Sequence, residues 1–345
     1  MLGIKVFLKD AERIKNYIIS KDLMDKNYRH SKDDKHIYFP VKKRFLAPGL
    51  KIKINFVNKE FEQANIQGSF KENLSKILTK KELEFVSTSH DIIGSIAILE
   101  IPDDLIKKEK LIAQTLLKAN PLIKTVLKKD DVHSGPYRTQ NMKYLAGINT
   151  KETLYKENGA MFRLDVEKVY FSIRLSNERK RVAALVKNGE NVLVMFSGCA
   201  PFPIIISKNS GAKSIVGIEI NPIGHKYGVE NISLNKVKNV ELINDDVHKA
   251  IAKLKKKNPK LSYDRILMPA PKNADEFLED ALSVSKKGTF IHFYGFSEED
   301  KFTELAKSVI EVCKNNGKKC KVLDIVKCGQ HAPYVYRVCI DLVVM

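Results

Sequence analysis

The feature that most limits the fold of this chain is the regular exchange of strand and helix patterns after residue 168. Five short apolar segments each follow a stretch with helical spacing: 192–196, 214–220, 239–243, 264–268 and 288–294. This order predicts parallel strands with crossover helices, and therefore a doubly wound α/β sheet. The last two apolar segments, KKCKVLDIVKCG and YVYRVCIDLVV, are separated by a short loop, which predicts an antiparallel pair.

A parallel α/β sheet that ends in an antiparallel hairpin is the Rossmann-like layout of class I methyltransferases, not of dinucleotide dehydrogenases. The loop after the first strand, SGCAP, carries only Gly198. A dehydrogenase needs several glycines there so that the backbone can approach a pyrophosphate. S-adenosylmethionine has no phosphate, so the loop weakens the case for NAD more than the case for S-adenosylmethionine.

The chain ahead of this sheet predicts two smaller α+β domains. Residues 1–66 read as a β-α-β-β unit, and 71–167 as a middle domain of short strands and an amphipathic helix, followed by the methyltransferase domain, 168–345. Within the middle domain, 90–101 is a strongly apolar strand region in which Gly94 predicts a bulge.

The charge balance predicts a polyanionic partner. Lys and Arg total 60 against 41 Asp and Glu, a formal net charge of +19, and nucleic acid is the commonest partner of such a chain. The alternative is a lysine-rich surface that only faces water. The five cysteines form no C-x-x-C pair, the eight histidines have no ligand spacing, and no apolar run approaches the ~18 residues of a membrane helix. We expect a cytoplasmic protein without metal or membrane contact.

Acidic residues at two successive strand ends predict a nucleoside site. Glu219 ends the second strand about 20 residues after Gly198, where a carboxylate can accept hydrogen bonds from ribose hydroxyls. Asp246 follows the third strand and can accept from an adenine amino group, while the Val247 backbone can serve the ring. The alternative is that both acids only cap helices.

The fourth strand ends in a stiff tetrapeptide, Met268-Pro269-Ala270-Pro271. Two prolines restrict its backbone, so the segment can present carbonyls and pack on a flat base. On these four residues alone, a proline-rich helix entry is an equally good interpretation.

Taken together, these stretches resemble one family, the archaeal and eukaryotic type of tRNA guanine-37 N1-methyltransferase. The resemblance covers about residues 82–345 and is carried by HDIIGSIAILEIP, KYLAGINTKETLYKENG, FRLDVEKVYFSIRLSNERKRV, VMFSGCAPF, GIEINP, LMPAPK, GTFIHFYGF and HAPYVYRVCIDL. The combination of YFSxRLxxER with LAG…KENG is the most specific part.

The resemblance implies methyl transfer from S-adenosylmethionine to guanine N1 beside the anticodon. Because N1 carries a proton that must leave, a general base is required, and the family places a Glu after "RL", which is Glu178 here. Arg174 lies four residues earlier and can steady that carboxylate or hold RNA; the alternative is an ordinary surface ion pair. Tyr170 and Phe171 can stack on the base or pack a hinge.

The chain departs from the family at the contacts to guanine O6. Pro269 replaces the usual Asn at the fourth strand, and Thr150 stands where an Arg is common. Lys151, Lys272 or Asn273 are candidate substitutes. Losing one donor to a developing oxyanion typically costs ~10²–10³ in rate.

The glycine loop departs as well, because Val194 replaces the usual Asp and Ala200 a Gly. The resulting prediction has Glu178 and Arg174 as catalytic residues. The predicted cofactor-binding residues are Tyr170, Phe196, Gly198, Glu219, Asp246, Val247 and Pro269. The predicted substrate-binding residues are Thr150, Lys151, Pro271 and Lys272.

Three functions stay open at this point. The first is an active tRNA guanine N1-methyltransferase, a monomer whose N-terminal unit grips a distant part of the tRNA. The second is a catalytically impaired tRNA-binding homologue, which the altered loop favours and the retained Glu178 and Glu219 oppose. The third is a wybutosine-pathway transferase that methylates a tricyclic base or transfers an aminocarboxypropyl group from the same cofactor.

Overall fold

The computed structural model describes residues 1–48, 50, 52, 54–62, 69–86, 89–130, 135, 137–269 and 274–345. The chain divides into two compact units, 1–77 and 78–345. The predicted boundary at residue 66 lies outside the described residues, and the division into three domains stays a prediction.

The first unit is a four-stranded antiparallel sheet in the order β2-β3-β1-β4. Its elements are β1 (Leu2–Phe7), α1 (Ala11–Ser20), β2 (Ser31–Lys32), β3 (His36–Pro40), β4 (Asn55–Asn58) and α2 (Phe70–Leu74). The apolar residues of α1 at helical spacing, Ile14 and Ile18, are fully buried against Ile4 and Phe39 of the sheet. The observed order is β-α-β-β-β, which has one short strand, β2, more than the predicted β-α-β-β pattern.

The second unit begins with a four-stranded sheet, β5-β6-β7-β8, and a separate hairpin, β9-β10. The elements are α3 (Lys80–Phe85), β5 (Asp91–Ile93), β6 (Ile96–Leu99), α4 (Glu109–Ala119), β7 (Thr125–Lys129), β8 (Met142–Gly147), β9 (Glu152–Glu157) and β10 (Ala160–Asp165). The bulge predicted at Gly94 is wrong. Gly94 has φ +60° and lies in the turn between β5 and β6, which are antiparallel, so the region 90–101 is a hairpin.

The large sheet has the order β13-β12-β11-β14-β15-β17-β16. Its elements are α5 (Ser176–Leu185), β11 (Asn191–Met195), α6 (Pro201–Asn209), β12 (Ser214–Glu219), α7 (Pro222–Asn235), β13 (Val240–Asn244), α8 (Val247–Lys257), β14 (Tyr263–Met268), α9 (Leu278–Ser283), β15 (Ser285–Glu298), α10 (Phe302–Asn315), β16 (Cys320–Ala332) and β17 (Val335–Val344). Strands β11 to β15 pair in parallel, and β17 runs antiparallel to both of its neighbours. The predicted doubly wound sheet with a terminal hairpin is confirmed.

Alternate residues of β11 enter the two cores on opposite faces of this sheet. Val192 and Val194 pack with α5, α6 and α7, whereas Leu193 and Met195 pack with α8, α9 and α10. Because β11 is buried on both faces, it reads as a continuous apolar run. In the described part of the chain, no helix has the length and apolar character needed to cross a membrane.

Candidate cofactor and substrate site

A cavity of about 1100 Å³ opens at the carboxyl ends of the parallel strands. Strand order reverses between β11 and β14, which is where open α/β sheets bind their ligands. All seven residues predicted to bind the cofactor line this cavity: Tyr170, Phe196, Gly198, Glu219, Asp246, Val247 and Pro269. The structure therefore brings together residues that are up to 99 positions apart in the sequence.

The loop between β11 and α6 has left-handed backbone at alternate residues. Phe196, Gly198 and Ala200 have φ values of +60°, +56° and +65°. A left-handed conformation costs an L-residue about 1–2 kcal/mol, so Ala200 keeps the backbone geometry of a glycine at a small energetic cost. A Cβ on Gly198 would lie 3.7 Å from the carbonyl oxygen of Tyr170, so a side chain here would be in van der Waals contact with that backbone.

Glu219 at the end of β12 holds this loop in place. Its carboxylate accepts hydrogen bonds from the backbone N–H of Gly198 at 2.6 Å and of Asn221 at 2.7 Å. The residue is only 9% exposed, and burial raises its pKa while the backbone N–H donors, of Asn221, Gly198 and Ile220, act in the opposite direction. A carboxylate offers about four acceptor positions, so with the backbone N–H of Ile220 as a third donor about one position remains for a ligand hydroxyl.

Asp246 is a helix cap and also a residue of the cavity wall. Its Oδ1 accepts a hydrogen bond from the backbone N–H of Lys249 at 3.2 Å, which makes it the N-cap of α8. It also lines the cavity together with Val247, the first residue of that helix. The neighbouring Asp245 forms an ion pair with Lys253 at 2.6 Å.

Two arginines beside Tyr170 were missed by sequence reasoning. Arg337 of β17 donates a hydrogen bond to the Tyr170 hydroxyl at 2.7 Å, and the Arg138 guanidinium lies 5.6 Å from the centre of the ring. Arg138 lines the cavity, and its burial lowers its pKa. An arginine inside the apolar run YVYRVCIDLVV is a signal that could have identified Arg337. No comparable signal marks Arg138.

A second cavity of about 240 Å³ adjoins the first and shares Tyr170 and Arg138 with it. Arg174 and Cys328 are among its other lining residues. The Arg174 guanidinium lies 3.2 Å from the carboxylate of Asp91. Arg174 therefore pairs with Asp91 instead of with Glu178, which was the partner that the sequence suggested.

Glu178 is buried in the first turn of α5. Its carboxylate accepts two hydrogen bonds from Arg181, both at 2.7 Å, and one from the Tyr294 hydroxyl at 2.7 Å. Glu178 is absent from the described residues that line the two cavities, but it contacts the thiol of Cys328, which lines the smaller one. Arg181, rather than Arg174, steadies the carboxylate.

The acid that shares Arg181 with Glu178 is Asp341 of β17, at 2.6 Å. Ligand atoms of Asp341, His292 and Cys339 lie within 4.8 Å of one another, a spacing that suits a metal. However, Arg181 donates to Asp341 and Arg265 donates to His292, so a cation here would have to displace a guanidinium.

The predicted substrate residues lie elsewhere or cannot be described. The hydroxyl of Thr150 accepts from the backbone N–H of Glu152 at 3.1 Å, and Lys151 forms an ion pair with Glu167. Within the described ranges, neither Thr150 nor Lys151 lines either cavity. Pro271 and Lys272 lie outside the described residues.

The sheet order, the terminal hairpin and the cavity at the switch point define a class I methyltransferase fold. Family models match in three places: the TRM5/TYW2 methyltransferase domain over 153–323, the TYW2 N-terminal domain over 70–150, and the tRNA methyltransferase 5 N-terminal domain over 3–48.

The relatives agree with these models over the whole chain. A tRNA (guanine(37)-N(1))-methyltransferase, Trm5b of Pyrococcus abyssi, is 36% identical over 99% of this chain and 98% of its own length. Its crystal structure has a TM-score of 0.71 and covers 100% of this chain and 99% of that one. The complex of aTrm5 with tRNALeu has a TM-score of 0.70 at 30% identity and covers both chains fully. Methanocaldococcus jannaschii Trm5 with adenosine has a TM-score of 0.64 at 28% identity, covering 100% and 99%. The chain belongs to the Trm5 family of tRNA methyltransferases.

Proposed function

We propose that this protein transfers the methyl group of S-adenosylmethionine to N1 of guanine-37 in tRNA. The observation that carries the proposal is the match to a Trm5b along the entire chain, in sequence and in fold. The excess of 19 positive charges suits a tRNA substrate. We further propose that the enzyme works in the cytoplasm as a monomer.

The lining of the large cavity fits this cofactor. Glu219 and Asp246 supply carboxylate acceptors for ribose hydroxyls and an adenine amino group. Ser197 also lines the cavity, and its buried Oγ has no hydrogen-bond partner in the described part of the chain. A volume of about 1100 Å³ holds the cofactor and still leaves room for a base. S-adenosylmethionine, when bound, supplies an electrophilic methyl group.

Two groups of the chain would serve the guanine. Negative charge develops on O6 as N1 loses its proton, and a guanidinium at that oxygen stabilises the charge. Arg138 suits this role better than Lys151, because it lines both cavities and packs near Tyr170. Glu178 accepts the N1 proton. To do so, its carboxylate gives up a hydrogen bond from Arg181 or from Tyr294 and accepts one from the N1–H instead.

The decisive experiment incubates the protein with unmodified tRNA transcripts and labelled cofactor, and then maps the modified nucleoside. We expect 1-methylguanosine at position 37 and no label in a transcript with adenosine at that position. Label at another nucleoside, or none with any transcript, would refute the proposal. Mass analysis of the spent cofactor separates methyl transfer, which leaves S-adenosylhomocysteine, from aminocarboxypropyl transfer, which leaves methylthioadenosine.

The role of Glu178 is tested by Glu178→Gln. Glutamine keeps the size of the side chain but cannot take up the proton, so we expect the single-turnover rate to fall by about 10²-fold or more. The affinity for tRNA should change little. Glu311→Gln, an exposed glutamate on α10, is the control and should keep the wild-type rate. A Glu178→Gln protein that transfers methyl at the wild-type rate would exclude Glu178 as the base.

A further inference from the structure

One arginine is divided between two buried carboxylates. Arg181 donates from Nε and Nη2 to Glu178, each at 2.7 Å, and from Nη1 and Nη2 to Asp341, at 2.6 and 3.2 Å. The same Nη2 group therefore serves both acids. A single positive charge cannot fully neutralise two negative charges, so one of the carboxylates is the easier site for a proton.

The remaining contacts decide which carboxylate that is. Asp341 also accepts from Nδ1 of His292 at 2.6 Å. Nε2 of His292 is 2.8 Å from Nη1 of Arg265, and because a guanidinium only donates, Nε2 must accept and Nδ1 must carry the hydrogen. Burial acts to raise the pKa of Asp341, but the hydrogen bonds from His292 and Arg181 outweigh it and hold that pKa well below its usual range. Asp341 thus stays ionised.

We propose that Asp341 and Tyr294 are positioning residues that set the proton affinity of Glu178 in opposite directions. Asp341 raises it by taking part of the Arg181 charge, whereas Tyr294 lowers it by donating a hydrogen bond to the ionised carboxylate. This inference rests on the proposed function, in which Glu178 accepts the guanine proton.

Four elements of the described chain bring side chains that interact with Glu178. α5 supplies Arg181, β15 supplies Tyr294, β16 supplies Cys328, and β17 supplies Asp341 and Cys339. Burial raises the pKa of both thiols, so they stay neutral near pH 7. Arg181 and Asp341 are therefore the charged groups among these contacts.

The experiment is the pH dependence of single-turnover methyl transfer in Asp341→Asn and Tyr294→Phe. Without the Asp341 charge, Arg181 stabilises ionised Glu178 more strongly. The acid limb of the curve of rate against pH should therefore move to lower pH by about one unit or more, and the rate on the plateau of that curve should fall. Without the Tyr294 hydroxyl, ionised Glu178 loses a donor, so the acid limb should move to higher pH by about one unit. Tyr263→Phe, a buried tyrosine at the start of β14, is the control and should leave the limb in place.

Opposite shifts would support the inference, because a merely structural role lowers the rate at every pH without moving the limb. Glu178→Gln should first be shown to inactivate the wild-type protein. If the acid limb then stays in place in both variants, or moves in the same direction in both, the inference is overturned and the proposed function stands. A Glu178→Gln protein with the wild-type rate and limb would overturn the inference and exclude Glu178 as the base, whereas the proposed function itself fails only if the label is absent or lies at another nucleoside. If Asp341→Asn does not fold, the upward shift in Tyr294→Phe alone decides.

Discussion

Replacing Glu219 by glutamine separates its two tasks, which are to hold the glycine loop and to receive the cofactor. The carboxylate accepts from Gly198 at 2.6 Å and from Asn221 at 2.7 Å, each N–H ending on a different oxygen. A glutamine has one carbonyl oxygen, so one of these N–H groups would meet an amide NH₂ instead of an acceptor. Leaving a buried donor unsatisfied costs about 1–3 kcal/mol, and we expect the cofactor-free protein to lose about that much stability.

The effect on cofactor affinity adds to this loss. Hydrogen bonds to a charged acceptor contribute about 1.5–3 kcal/mol, and the neutral amide weakens those that the cavity side of Glu219 offers to ribose hydroxyls. A net loss of about 1.4–2.8 kcal/mol corresponds to a dissociation constant 10–100 times larger. Isothermal titration calorimetry with S-adenosylmethionine measures this directly, and thermal unfolding without cofactor measures the first effect.

The control is Glu230→Gln, which changes an exposed glutamate on α7 and should alter neither quantity. A dissociation constant for Glu219→Gln within threefold of the wild type, in a protein that has lost stability as expected, would refute a cofactor role for this side chain. Glu219 would then be only the anchor of the loop.

Two further predictions follow from particular contacts. Arg138→Ala should slow single-turnover transfer by about 10²–10³-fold, whereas Lys151→Ala should stay within about threefold because Lys151 is paired with Glu167; equal rates in the two variants would contradict this assignment. Arg179→Met should destabilise the protein by about 3–5 kcal/mol, because it strands the buried Glu157 carboxylate that its guanidinium holds, and the double variant with Glu157→Met should recover most of the thermal midpoint. If the double variant is no more stable than the single one, the pair is not what stabilises this region.

Periodicity was sufficient to predict the large sheet because its parallel strands are buried on both faces. Val192 to Met195 read as one apolar run, and the short connection after β16 required an antiparallel partner. The hairpin at Gly94 was not predicted, since IIGSIAI is apolar on both sides of the turn and a glycine within such a run indicates a bulge as readily as a reversal.

The site was predicted to the extent that its residues lie at strand ends. Glu219 and Asp246 follow two successive parallel strands, so their meeting at one edge is a consequence of topology alone. Arg138 and Asp341 have no such relation to the sheet pattern. Arg138 comes from the segment between β7 and β8, and Asp341 comes from β17, 203 residues later. Only the folded chain shows which side chains these two residues contact.

The altered glycine loop bears on whether this chain has lost catalysis. Val194, in place of the family's Asp, is fully buried in the core below the loop, so it removes a polar group without opening the cavity. Ala200, in place of a Gly, still adopts the left-handed backbone. The hydrogen bond from the Gly198 N–H to Glu219 holds the loop between β11 and α6 in its conformation. Because the loop keeps its conformation through Glu219 rather than through its own glycines, its sequence is a poor guide to whether the cofactor binds. The geometry therefore favours the active enzyme over the tRNA-binding homologue, and the Glu219→Gln titration tests that choice at the residue on which it depends.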